Sequence, residues 1–345
     1  MRIRVLFVML LFSTSFVVGA TRYFDPIFEV SKTSNLVYAK DAPFLAKKHA
    51  ITALVSGLKM ESEIAPTLYF YQNSNETIPH DLEFDFYQPK NDTLNNRPLI
   101  IVVHGGAFVS GNKGDSNEPI TAYCDSLASR GYNVAALNYR IGLAIKKSQR
   151  NKLIIDSLEI KRAIQWGVQD IQNAIQYFKA NADRHRIDSG KIFVIGNSSG
   201  AILALQSACE RNSLSPQAIV SLWGALIDKK QIKNISIPLL LIHGTADRII
   251  PFQKGNMLNL DSVKAKNSDA FGYKTIATAF QLEFNSPTFY GSAVIDSVLT
   301  KQNVVHDTFF VDGEDHEFYR SEPYRNKILE KILEFLFPLV DATSK

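Results

Sequence analysis

One junction constrains this chain more than any other feature. The apolar run Ile192-Phe193-Val194-Ile195 meets Gly196-Asn197-Ser198-Ser199-Gly200, and the helix-like segment Ala201 to Ala208 follows at once. A strand that becomes a helix within five residues must bend sharply. Bulky side chains two positions before or after the central serine would block the close approach of strand and helix, and glycine at 196 and 200 removes that block. The turn lifts the Ser198 hydroxyl clear of the sheet, beside the unpaired N–H groups and positive dipole end of the following helix. Gly-x-Ser-x-Gly is also an ordinary turn sequence, so the rest of the chain decides what it means.

The rest of the chain has a βα rhythm. Leu82-Glu83-Phe84-Asp85-Phe86 alternates with period two, as a half-buried strand does. Leu99 to Val103 is continuously apolar, as in a strand covered on both faces. Further strands are expected at 133–137, 218–222, 238–242 and 307–311. Helices are expected at 119–130, with Pro119 in the first turn and Gly131 as the stop, at 168–182 and at 325–337. In the middle one, Val168, Ile171, Ile175, Phe178 and Ala182 share a face at spacings of three and four. Alternating strands and helices predict the α/β class, with a mostly parallel twisted sheet and helices on both faces. Residues 41–80 and 255–286 break the rhythm and are read as insertions, either at the surface or over a pocket. With no low-complexity linker and no internal repeat, residues 21–345 are read as a single domain.

Composition narrows the function. With 46% hydrophobic residues among 345, the chain can bury a large core. The formal charge of +4, from 38 basic and 34 acidic residues, is too small for a nucleic-acid binder. Arg2 and Arg4, the unbroken apolar run Val5–Phe12 and the small residues Val18-Gly19-Ala20 read as a secretory signal cleaved near Ala20. The mature protein is therefore expected to be secreted or periplasmic, with no stable membrane span. No Cys/His cluster has zinc spacing, so no metal is expected. Asn75-Glu76-Thr77, Asn91-Asp92-Thr93 and Asn234-Ile235-Ser236 fit glycosylation sequons, which matter only in a eukaryotic source.

A serine hydroxyl is a poor nucleophile without a base, an acid that orients the base, and N–H donors for the developing oxyanion. His104-Gly105-Gly106-Ala107-Phe108 follows the strand at 99–103. Its paired glycines allow the Gly106 and Ala107 amides, with that of Ser199, to form an oxyanion hole; they serve a tight strand-to-loop turn equally well. Asp247 follows the strand at 238–242 and is the candidate acid, since catalytic groups gather at the carboxyl ends of strands in open α/β sheets. A helix cap or a pair with Arg248 is its structural alternative, and Asp228 is the second candidate. His316 is the candidate base by elimination among seven histidines. His49 and His80 precede the core strands, and His306 starts a strand. His104 and His243 lie inside turn motifs, and His185 is expected at the surface. His316 alone follows both serine and acid at a strand's carboxyl end, flanked by the acidic Glu314, Asp315 and Glu317.

With these motifs in order, the chain resembles the α/β-hydrolase superfamily. More narrowly, it is similar to secreted esterases and lipases with a His-Gly-Gly oxyanion motif, such as carboxylesterases and feruloyl-esterase-like enzymes. The resemblance covers roughly residues 22–40 and 81–340. Asn138-Tyr139-Arg140, the helix carrying Asp170 and the segment Tyr290–Ile295 add to it. It implies a Ser198–His316–Asp247 triad acting on small-molecule or polymer-borne esters through an acyl-enzyme, without cofactor. It also places Cys124 and Cys209, both on expected helices, on opposite faces of the sheet as free thiols. The third glycine of the family's oxyanion motif is Ala107 here, and residues 255–286 have no assignable counterpart. A prolyl-oligopeptidase-type serine peptidase and a non-catalytic binding protein on the same fold are the alternatives. The first normally carries a large extra domain, and the second has typically lost a triad member.

Overall fold

A computed structural model describes residues 21–52, 67–114, 119–150, 152–210, 212–258, 282–316 and 318–340; the expected export signal lies outside them. The central sheet holds β1 (Val30–Leu45), β2 (Thr77–Pro89), β3 (Arg97–Val103), β4 (Asn133–Leu137), β5 (Ile187–Asn197), β6 (Ala218–Leu222), β7 (Leu239–Gly244) and β8 (His306–Val311). Their order across the sheet is β1-β2-β4-β3-β5-β6-β7-β8. β2 runs antiparallel to both neighbours, and every other adjacent pair is parallel.

The continuous apolar runs become the central strands because both faces are covered. Within β3, Leu99, Ile101 and Val103 enter one core layer, while Ile100 and Val102 enter the other, as the two-residue period of a strand requires. Helices α2 (Ser157–Ala180), α3 (Ser199–Ala208) and α4 (Ser292–Lys301) cover the first layer. Helices α1 (Pro119–Ala128) and α5 (Tyr324–Val340) cover the second. Cys124 lies in the second layer and Cys209 in the first, both buried and unlinked.

Two elements run beyond their sequence-based bounds. The helix expected from Val168 begins at Ser157, where the Asp156 carboxylate accepts from Leu158 N (3.1 Å) and Glu159 N (3.0 Å). An acidic N-cap of this kind is a start signal in its own right, and Ile160, Ala163 and Ile164 extend the buried stripe. β2 extends to Thr77 through exposed residues, held by backbone pairing to β1 instead of by a hydrophobic pattern. Part of the 41–80 stretch is therefore sheet ribbon. Phe70–Tyr71 beyond it pairs with Leu143–Ala144. In the later irregular stretch, Lys254–Asn256 pairs with Thr288–Gly291 and Leu282–Phe284 with Leu153–Ile155. Residues 259–281, with Phe271, Tyr273 and Phe280, lie outside the described residues.

The strand order sets the site. The connection after β3 leads to β4 on one side, and the chain then returns to β5 on the other side of β3. Connections that part in this way leave a crevice beyond the carboxyl ends of β3 and β5, which is where ligands bind in open α/β sheets.

Candidate active site

The chain leaves β5 through Ser198, whose φ of 53° and ψ of −122° lie outside the usual regions for a side-chain-bearing residue. The turn is anchored by Ser198 N donating to Leu222 O at 2.9 Å. A Cβ at Gly196 would collide with the Gly200 carbonyl, and one at Gly200 would collide with the Val103 and His104 carbonyls. These contacts give the physical reason for both glycines of the pentapeptide. α3 starts at Ser199, so the Ser199 N–H has no intrahelical acceptor and belongs to the positive end of the helix.

The structure brings Ser198, His316 and Asp247 into one hydrogen-bonded line. His316 Nε2 is 2.9 Å from Ser198 Oγ, and His316 Nδ1 is 2.7 Å from Asp247 Oδ2. A carboxylate only accepts, so Nδ1 carries the ring proton and Nε2 accepts from the serine hydroxyl. Ser198 is 4% and His316 1% exposed, and the Asp247 side chain is fully buried. Burial by itself would raise the Asp247 carboxyl. The charge of His316 and the hydrogen bonds from His243 and His316 outweigh it, holding the group well below the usual carboxylate range. Its other oxygen accepts from Ile249 N (2.8 Å) and Ile250 N (2.9 Å).

The loop after β3 packs against this line. A Cβ on Gly105 would stand 3.2 Å from Ser198 Cβ. Gly106, Ala107 and Phe108 have φ of 103°, 49° and 66°, a tight left-handed curl. His104 Nδ1 lies 2.8 Å from Gly105 O. Tyr139 Oη lies 3.2 Å from His104 O, 3.4 Å from Gly105 O and 3.3 Å from Ser199 Oγ. A trans peptide directs its N–H opposite to its carbonyl. Holding Gly105 O from one side therefore fixes the direction of the Gly106 N–H.

One other histidine differs from its sequence-based placement, and the neighbouring side chains take these partners. His185 is buried, not at the surface, with Nε2 3.0 Å from Tyr177 Oη. Burial, helped by Arg184, pushes its pKa down to about 4. Asp228 caps the short helix Lys229–Ile232 by accepting from Lys230 N. Arg248 pairs with Asp315 and not with Asp247. Glu314 accepts from Tyr324 Oη at 3.2 Å, and Glu317 lies outside the described residues. Phe108 and Trp223 are both completely buried. Trp223 stacks on Tyr319 (4.9 Å, 11°) and sets its ring edge-on to His316 (6.1 Å, 71°).

One functional contact escaped sequence reasoning. His243 Nε2 approaches Asp247 Oδ2 at 3.1 Å, so two imidazoles share that oxygen. A histidine and an aspartate four residues apart at a strand end was the available signal. Among the described residues, no group of three or more His, Cys, Asp or Glu is arranged to hold a metal ion, and no helix is long and apolar enough to cross a membrane.

The model of the BD-FAE family, an α/β-hydrolase esterase family, matches residues 84–220, from β2 through β6. No curated protein matches the chain. Among solved structures it is similar to Thermogutta terrifontis esterase 2 phosphorylated by paraoxon, with 20% identity and a TM-score of 0.50 over 78% of this chain and 91% of that one. The apo form of Thermogutta terrifontis esterase 2 matches at 18% identity and a TM-score of 0.49, covering 82% of this chain and 98% of that one.

Proposed function

We propose that this chain, an α/β-hydrolase of the esterase type, hydrolyses carboxylic esters through an acyl-enzyme on Ser198. The observation that carries the reading is the unbroken Ser198–His316–Asp247 hydrogen-bonded line, its three side chains almost fully buried. Ser198 Oγ attacks the acyl carbon while His316 Nε2 takes the hydroxyl proton. The carbonyl oxygen, now negative, faces the amides of Gly106, Ala107 and Ser199, where preorganised N–H groups stabilise it. His316 hands its proton to the departing alcohol. Water, deprotonated by the same nitrogen, then releases the acid and restores Ser198. Asp247 keeps His316 in the Nδ1–H tautomer and balances the imidazolium that forms twice per cycle. The cycle uses no cofactor.

The substrate is an ester carried by a small molecule or by a polymer, in the range from carboxylesterase to lipase. The basic and apolar character of residues 1–20 supports export, so the mature enzyme works outside the cytoplasm or in a periplasm. The test is hydrolysis of p-nitrophenyl acetate, butyrate and octanoate by the wild type and by Ser198→Ala. The wild type is expected to turn over at least one ester, and the variant to lose at least about 10³-fold in kcat. Paraoxon phosphorylates Thermogutta terrifontis esterase 2. It should likewise add one diethylphosphoryl group to the wild type and none to the variant. Equal inactivity of both proteins, with no phosphorylation, overturns the reading. The acyl-length profile then separates short-chain esterase from lipase behaviour.

A further inference from the structure

Asp247 has a second imidazole partner that the reaction cycle above does not use. His243, at the end of β7, is completely buried. Its Nε2 lies 3.1 Å from Asp247 Oδ2 and 3.2 Å from Ile250 O. Both are acceptors, so Nε2 carries a proton. Its Nδ1 lies 2.8 Å from the Oγ of Ser292, the first residue of α4, itself completely buried. We propose that His243 is a positioning residue for the triad: its Nε2–H fixes the Asp247 carboxylate against His316, and Ser292 fixes the tautomer of His243. The proposal rests on the reading of Ser198 as nucleophile.

The chemistry runs outward from the carboxylate. Asp247 Oδ1 takes two backbone N–H bonds from its own turn. Oδ2 is thereby left to face His316, and any rotation about the carboxylate would carry it off the Nδ1–H axis. His243 meets the same oxygen from within the protein and closes off that rotation. A buried hydroxyl needs an acceptor for its hydrogen. The hydrogen-bond partner of Ser292 Oγ among the described residues is His243 Nδ1, so the serine donates to that nitrogen. Around His243, the polar and titratable neighbours are Asp247, the Ile250 carbonyl, Ser292 from α4 and, across the shared oxygen, His316. The Phe252 ring closes one side at 5.6 Å. The triad is thus continued by two residues into a line from Ser198 through His316, Asp247 and His243 to Ser292. This line ties the site to the N-terminus of α4.

The experiment compares wild type with His243→Leu, His243→Gln and Ser292→Ala. It reads kcat and KM on the best p-nitrophenyl ester and titrates the His316 ring by NMR, which requires no turnover. Removing the N–H donor concentrates charge on Oδ2 and favours the His316 imidazolium. His243→Leu should therefore raise the His316 midpoint by about half a unit or more. It should also lower kcat about 10–100-fold, while KM changes by less than about two-fold. His243→Gln keeps an N–H within reach and should recover most of the kcat loss. Ser292→Ala should move both readouts in the His243→Leu direction by less, and it supplies the test if His243→Leu fails to fold. An unmoved His316 midpoint, even with a lowered melting temperature, overturns the proposal, as does wild-type kcat in a folded His243→Leu. If the wild type lacks Ser198-dependent turnover, the esterase reading fails while the NMR titration still decides the role of His243.

Discussion

Asp247 concentrates the energetics of the site in one side chain. Its carboxylate gives up water entirely and receives two imidazoles and two backbone amides in exchange. Asp247→Asn preserves the shape but gives His316 a partner that no longer selects the Nδ1–H tautomer. A kcat loss of about 10³–10⁴-fold is expected, the scale set by wrong-tautomer variants of other triads, and steady-state kinetics checks it. Stability carries its own signature. The folded-state pKa lies below the unfolded one, so the ionised group stabilises the fold fully above about pH 4 and that contribution is lost as pH falls below it. Paired thermal melts should show wild type well above Asp247→Asn near neutrality, with the gap closing as the solution is acidified past pH 4. The rate should also fall on acidification, because a protonated His316 cannot accept the Ser198 proton.

At the scale of elements, the pair Arg140–Asp170 locks the loop after β4 onto α2. The ion pair is 2.7 Å long with side chains 3% and 0% exposed. The Asp170 carboxylate also accepts from Arg140 N at 2.8 Å, and the guanidinium lies over the Trp166 ring. The same loop carries Tyr139 to the His104–Gly105 carbonyls and Ser199. Asp170→Ala strands a buried cation and should cost about 3–5 kcal/mol in urea unfolding, while Arg140→Met with Asp170→Leu together should cost less than either single change. Both residues were visible in the sequence only as companions of a resemblance, because a contact across thirty positions leaves no periodic trace. What was legible follows the same logic. Strands β3 to β7 carry apolar runs and β8 ends in one, and Ser198, Asp247 and His316 follow β5, β7 and β8. The exposed half of β2 and the burial of His185 depend on strand pairing and tertiary cover, and the start of α2 on a cap with no apolar period before it. His243 showed only as a spacing of four before Asp247 at a strand end, which does not by itself say that the two side chains meet.

For the molecule as a whole, the two core layers keep its only cysteines apart. Cys124 and Cys209 are buried on opposite faces of the sheet. Burial raises both thiols, that of Cys209 up to about 12 and that of Cys124 further. The folded protein should therefore show no Ellman-reactive thiol at pH 8 and two in denaturant, and a reductant should leave the melting temperature unchanged. Fast labelling of the native protein, or a melting temperature lowered by reductant, would contradict this arrangement. The site is equally a property of the whole chain. Ser198 and His316 lie 118 residues apart in sequence, and β8, which the histidine follows by five residues, is an edge strand that docks onto β7. During synthesis the serine leaves the ribosome long before its base does. On the proposed mechanism a product truncated before β8 lacks its base, and the alcohol at 198 becomes a reagent only when the final strand of the sheet has closed.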